Sequence, residues 1–142
     1  NIIKMTKEEM AYYLEEDDLF RATEKLLNQN AQLVAVTMDE SGSFLRSRQG
    51  WAYLPTYRVD VLDTTGAGDS FMGALLYRLG RIEKQPEALT EKELTEIADF
   101  CNACASLSTT RRGSMSVMSS PEEISGLRVS GVLGTALDIR RI

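Results

Sequence analysis

The chain has 142 residues, 43% hydrophobic and 26% charged, a composition that supports one globular domain with a sizeable core. Its 21 acidic against 16 basic residues give a formal charge of −5, which argues against nucleic acid or an anionic membrane as partner. Histidine is absent and only two cysteines occur, so imidazole acid–base chemistry, histidine-ligated metals and a disulfide framework are excluded within this stretch.

No apolar run approaches the ~18 residues of a membrane span, and the expectation is a soluble, cytoplasmic protein. The chain opens on Asn1 and runs directly into Ile2-Ile3, which reads as a cut inside a longer protein. Asn1 to Met5 predicts a strand. It is followed by a helix in TKEEMAYYLEE, where Met10, Tyr13 and Leu14 fall at i, i+3, i+4 spacing. Leu19, Thr23, Leu26 and Leu27 continue a helical stripe, NQNAQ ends it, and the β-branched run LVAVTM predicts a buried strand. SGSFLRSRQGWAYLP alternates polar and apolar residues about Gly50, predicting a hairpin with strands Ser43 to Ser47 and Trp51 to Leu54. YRVDVLD predicts a further strand leading into DTTGAGDSF and a helix from about Ser70 to Leu79.

After a polar link, Leu94, Ile97, Ala98, Cys101 and Ala105 predict a helix of about five turns ending near Arg111-Arg112-Gly113, with basic residues at its C-terminus. Ser120, Pro121 and Glu123 carry a capping signature for a short helix ending before Gly126, and the stretch from Leu127 onward has no clear pattern. Alternating strands and helices predict an α/β architecture with a mostly parallel sheet. In such sheets ligands gather at the carboxyl ends of strands, where the glycine turn would sit.

The glycine turn carries the chemistry. The first amides of a helix have no intrahelical acceptor, and the helix dipole adds partial positive charge there. Gly66 and Gly68, with the small Ala67 between them, leave room for a phosphoryl group to approach the backbone. Asp69, in the first turn, would be kept ionised beside it, ready to accept a proton from an attacking hydroxyl. A plain turn with a capping aspartate is the competing reading for so short a motif. Phe71 stands where a dinucleotide fingerprint needs its third glycine, and no lysine completes a P-loop.

The stretch VLDTTGAGDSFMGALL, Val61 to Leu76, resembles the second signature of the PfkB, or ribokinase-like, sugar kinases. NIIKMTKEEM resembles that family's strand and N-x-x-E segment. VTMDESG resembles its T-x-G-x-x-G strand end, and NACASLSTTRRGSMSVM its late nucleotide-binding helix and loop. The resemblance implies a three-layer α/β/α ribokinase-like fold, of which residues 1–126 would be the C-terminal, nucleotide-binding part and 127–142 a tail of unassigned origin. It implies ATP-dependent phosphorylation of a sugar hydroxyl, fructokinase-like, with Asp69 as catalytic base and the amides of Gly66, Ala67 and Gly68 as anion hole. Thr37, Gly42 and Asn102 match nucleotide-binding positions, and Glu9 matches a residue that organises Mg²⁺ indirectly. Asp63, Thr65, Ser108 and Gly113 match a monovalent-cation site, K⁺ being the ion implied.

Two positions depart from the family pattern. Thr6 stands where the family often has Asn, which leans toward the fructokinase-like branch, and Asp39 replaces a glycine near the bound phosphates. The resemblance also implies a missing N-terminal half carrying the sugar contacts, an open sheet edge that favours association, and homodimerisation as one admissible assembly. The alternative is a non-catalytic ribokinase-like module that binds a nucleotide or a partner. Elsewhere, Cys101-x-x-Cys104 reads as packing on a helix, and Trp51, Tyr53 and Tyr57 read as sheet packing. Glu15 to Asp18 read as a solvated turn opening a helix, and Arg111 and Arg112 as complements to a helix C-terminus.

Overall fold

Leu33–Thr37 alternates two apolar sets and can bury both faces only if layers cover it on each side. The computed structural model, which describes residues 1–111 and 119–140, shows that arrangement. Strands β1 (Ile2–Thr6), β2 (Leu33–Thr37), β3 (Ser43–Arg46) and β4 (Trp51–Leu54) form one sheet in the order β1-β2-β3-β4. Helices α1 (Lys7–Leu14) and α2 (Leu19–Asn28) follow β1, and α3 (Ala67–Gly80), α4 (Glu91–Ser108) and α5 (Pro121–Ser130) follow the sheet.

Val34, Val36 and Phe44 face Met10, Leu19, Leu26 and Leu27 of α1 and α2. Leu33, Ala35 and Leu45 face Phe71 and Leu75 of α3 and Leu94, Ile97 and Cys101 of α4. The three layers expected from the sequence are therefore present. Each fully buried Leu, Ile or Phe contributes about 1.5–3 kcal/mol, and β2 packs against both clusters at once. Among the described residues no helix is long and apolar enough to cross a membrane.

Five expectations are corrected. The sheet is mixed: β1 and β2 are parallel, whereas β2–β3 and β3–β4 are antiparallel, because the short turns at Asp39–Ser41 and at Gly50 each reverse the chain. YRVDVLD forms no strand. The Arg58 amide donates to the Val132 carbonyl, and the Leu62 and Asp63 amides both donate to the Thr109 carbonyl, so the run binds two separate loops and no sheet edge. Tyr13 lies outside the core, 71% exposed and packed edge-on against Tyr12, while Met10 is fully buried.

Helix α4 ends at Ser108, before the arginines. The hydroxyls of Ser108, Thr109 and Thr110 each donate back to the carbonyl three residues earlier and close the helix. Arg111 then pairs with Glu123 of α5 rather than with the α4 terminus; Arg112 lies outside the described residues. Finally, α5 runs past Gly126 to Ser130. Arg128 in its last turn bonds Asp99 at 2.8 Å and Glu96 at 2.9 Å, holding the added turn on α4.

Candidate functional site

The sheet register lines up Thr6, Thr37, Ser43 and Leu54 as one row across its end. This is the carboxyl end of the parallel pair β1–β2, and the candidate residues of the first half of the chain gather there. Thr6 caps α1: its Oγ1 accepts the Glu9 amide at 3.0 Å, and Glu9 Oε1 accepts the Thr6 amide at 2.9 Å. The x-x-E spacing is thus a reciprocal capping box. Those bonds from Thr6 hold the Glu9 carboxyl below its usual range. Glu9 is exposed, and the cap engages its Oε1.

At the head of α3, Gly66 is in the left-handed region (φ 83°) and no side chain caps the helix. Thr65 N donates to Asp63 Oδ1 at 2.9 Å, and Ala67 N reaches the Thr64 carbonyl at 3.3 Å. Among the described residues the amides of Gly66, Gly68 and Asp69 meet no acceptor. Of the three amides read as an anion hole, Ala67 is therefore already partnered, and Asp69's own amide is bare in its stead. The Asp69 side chain is exposed in the first turn.

Sequence reasoning missed Lys4. It lies on the same face of β1 as Ile2, toward α3, and its Nζ is 3.0 Å from where a Cβ on Gly68 would stand. Gly68 thus leaves space for an ammonium group beside the bare amides. The alternation of β1 was the available signal, since it put one lysine on the α3 face of an otherwise apolar strand.

The β2–β3 connection is a tight turn, Asp39–Ser41, closed by Met38 N to the Gly42 carbonyl at 2.9 Å. Asp39 has φ 50°, a left-handed conformation that aspartate tolerates better than most residues. The glycine expected at this position has that physical reason. Gly42 has φ 109°, and a Cβ there would lie 2.0 Å from the Leu54 carbonyl oxygen, so the close crossing of two backbones requires glycine. Thr37 is half-buried at the strand end.

Asn102 is buried. Its Oδ1 accepts the Ser43 hydroxyl at 2.8 Å, and its Nδ2 donates to the carbonyls of Leu54 (3.1 Å) and Pro55 (3.3 Å). Its amide is engaged at both ends, and it ties α4 to the β3 and β4 termini.

Of the residues matched to a cation site, Asp63 is brought beside the C-terminal end of α4 by its amide bond to the Thr109 carbonyl, 3.0 Å. Thr65 follows it, Ser108 Oγ is turned back on Ala105, and Gly113 lies outside the described residues. Among the described residues no group of three or more His, Cys, Asp or Glu side chains is placed to hold a metal ion. Cys101 is buried and Cys104 half-buried, both as free thiols; burial pushes both up, Cys104 to about 11, which removes them from nucleophilic chemistry near neutrality. Two grooves of about 640 and 470 Å³ open along α4 and α5, and neither contains Asp69.

Residues 1–121 match the family described as pfkB family carbohydrate kinase. Fructokinase-1 of Zea mays is 34% identical over 129 residues, covering 87% of this chain and 38% of that protein. Aminoimidazole riboside kinase of Salmonella typhimurium is 33% identical over 105 residues, covering 74% of this chain and 32% of that protein. Among solved structures, fructokinase of Xylella fastidiosa with bound ATP superposes with a TM-score of 0.76 at 29% identity, covering 89% of this chain and 41% of that one. Ribokinase of Thermotoga maritima gives 0.69 at 28% identity, covering 88% and 41%. The fold and the glycine-headed helix define a ribokinase-like carbohydrate-kinase domain in part. The chain belongs to the PfkB family of carbohydrate kinases, and it spans between about a third and two fifths of the length of the relatives named.

Proposed function

We propose that this chain is the nucleotide-binding part of an ATP-dependent sugar kinase of fructokinase type. The observation that carries the reading is the unpartnered head of α3, where the amides of Gly66, Gly68 and Asp69 open beside the Lys4 ammonium and the exposed Asp69 carboxylate. This donor set fits the phosphate end of a nucleotide: bare amides, a helix dipole and a cation converge where negative charge needs them. The names of the relatives, fructokinases and a riboside kinase, support a sugar hydroxyl as acceptor.

ATP, when bound, supplies the phosphoryl group. The chain's own residues do the rest. The amides of Gly66, Gly68 and Asp69 hold negative charge at the helix head, and Lys4 adds a fixed positive charge alongside. The Asp69 carboxylate accepts the proton of the acceptor hydroxyl and orients that oxygen. The Asp39–Gly42 turn and Thr37 border the nucleotide at the sheet end, with Asn102 bracing the turn from below. Glu9, its carboxylate anchored through Oε1, would organise Mg²⁺ through water. Asp63 and the Thr65 carbonyl would contribute to holding a monovalent cation such as K⁺. The outer edge of β1, unpaired among the described residues, would receive the remaining strands of the fold, which carry the sugar contacts.

A coupled ADP-release assay with fructose, ribose, 2-keto-3-deoxygluconate and a nucleoside, run on the whole gene product, tests this reading. Asp69→Asn is expected to lower turnover by about 10²–10⁴-fold with little change in folding stability. Turnover that survives the substitution, or is absent from the unaltered protein, overturns it and leaves the non-catalytic binding module.

A further inference from the structure

The segment after α5 lies beyond the residues matched to the kinase family, yet it is woven into the sheet end. The Arg58 amide donates to Val132 O and the Gly134 amide to Thr56 O, both at 2.7 Å. Leu133 forms a bridge with Tyr57. A Cβ on Gly134 would lie 3.3 Å from the Thr56 carbonyl oxygen and 3.9 Å from that of Glu40, so the segment passes directly over the Asp39–Ser41 turn. Further on, Leu137 N donates to Tyr53 Oη at 3.1 Å. Leu137 and Ile139 pack on the cluster around Val36 and Phe44. Arg140 then stacks 3.9 Å over the Phe20 ring and 5.6 Å from that of Trp51.

The turn beneath depends on the same contacts. Asp39 holds a left-handed backbone that its neighbours must enforce. The Tyr53 hydroxyl donates to the Ser41 carbonyl, and Thr56 Oγ1 donates to the Glu40 carbonyl at 2.7 Å. Both tethers are residues to which the C-terminal segment is itself hydrogen-bonded. Tyr53 stands between the two: its oxygen accepts from Leu137 and its proton goes to Ser41. A phenol that accepts from the segment has its hydroxyl rotor fixed toward the turn and its donor strengthened. Without that amide the hydroxyl is free to turn to water.

We propose that residues 131–140 form a clasp that positions the Asp39–Ser41 turn for nucleotide binding, with the Tyr53 hydroxyl as the positioning group between them. The proposal rests on the nucleotide reading of this sheet end and adds a control element from outside the family's matched region. Arg140 over two aromatic rings and Leu137 in the core are the anchors; Gly134 and Tyr53 are the points of action.

Three variants of the full protein test it: Tyr53→Phe, Gly134→Val, and a chain ending at Ser130. Two readouts are used. Hydrogen exchange is followed at the Ser41 and Gly42 amides, which donate to Met38 O at 2.9 Å and Asp39 O at 3.2 Å. Steady-state kinetics separate KM for ATP from kcat. Losing one such bond is expected to speed exchange at both amides and to raise KM for ATP about fivefold with kcat unchanged. Tyr53→Phe combined with the truncation is expected to have less than the summed effect of the two alone, because both act through the Tyr53 hydroxyl while the truncation also removes the Gly134 contact to Thr56.

Unchanged exchange in Gly134→Val and in the truncated chain overturns the clasp, as do effects of the truncation and Tyr53→Phe that simply add. If the truncated chain does not fold, Gly134→Val and Tyr53→Phe decide by the same two readouts. If the unaltered protein binds no ATP, the nucleotide reading and the clasp's purpose fall together, and the exchange rates alone then report whether the mechanical coupling exists.

Discussion

Helices α3 and α4 pack side by side on one face of the sheet, and their entrances are built on opposite principles. At α4, Thr90 and Glu93 satisfy one another's amides in a reciprocal cap, 3.0 and 3.4 Å, and Lys84 lies 2.6 Å from the Glu93 carboxylate. Helices α1, α2 and α5 are likewise capped by their own side chains at Thr6, Asp18 and Ser120. Helix α3 alone among them begins at a left-handed glycine with no side-chain cap. Among the described residues four helix heads are closed by side-chain acceptors and the fifth presents bare amides next to a lysine, the arrangement on which the proposed anion site rests.

The contrast is broken most sharply by filling the open head. Gly66→Val places a β-branched residue at φ 83°, which is expected to cost roughly 1–2 kcal/mol of stability. Its side chain also crowds the bare amides, so ATP affinity is expected to fall about tenfold or more, the scale of a displaced charge-assisted hydrogen bond. Urea denaturation and ATP titration of the same sample measure the two effects. An affinity loss no greater than the stability loss explains would remove the functional meaning of the open head.

The closed head gives the smaller, complementary effect. Thr90→Ala is expected to cost about 1 kcal/mol in denaturation and to leave ATP affinity unaltered. Bonds from Lys84 and Thr90 pull the Glu93 carboxyl down to about 2 from its usual 4.5. A depressed folded-state value means that this contribution is present above pH 4.5 and fades as pH falls toward 2. The stability difference between Thr90→Ala and the unaltered chain should therefore shrink over that interval in acid denaturation.

Much of this was legible in the sequence because it is local. Ser120-Pro-x-Glu123 states a capped helix start, LVAVTM states a buried strand, and Gly66-Ala-Gly68-Asp69 states an open helix head. What escaped depends on contacts between distant residues. Val59 and Val61 look strand-like, but no neighbouring strand edge reaches them among the described residues, and Val61 is 61% exposed. The bracing role of Asn102 appears only when Ser43, Leu54 and Pro55 close around its amide. The C-terminal segment shows no periodicity because its partners, Tyr53, Thr56, Phe20 and Trp51, lie about eighty residues or more earlier. Lys4 acquires meaning only when β1 is laid beside α3.

The central claim is that the head of α3 is an anion site while the other helix heads are not, and backbone amide NMR during ATP titration tests it most directly. The largest downfield shifts are expected at Gly66, Gly68 and Asp69, with the capped amides Glu9 and Glu93 nearly still. Shifts at the α3 head no larger than those at the capped heads would contradict the account.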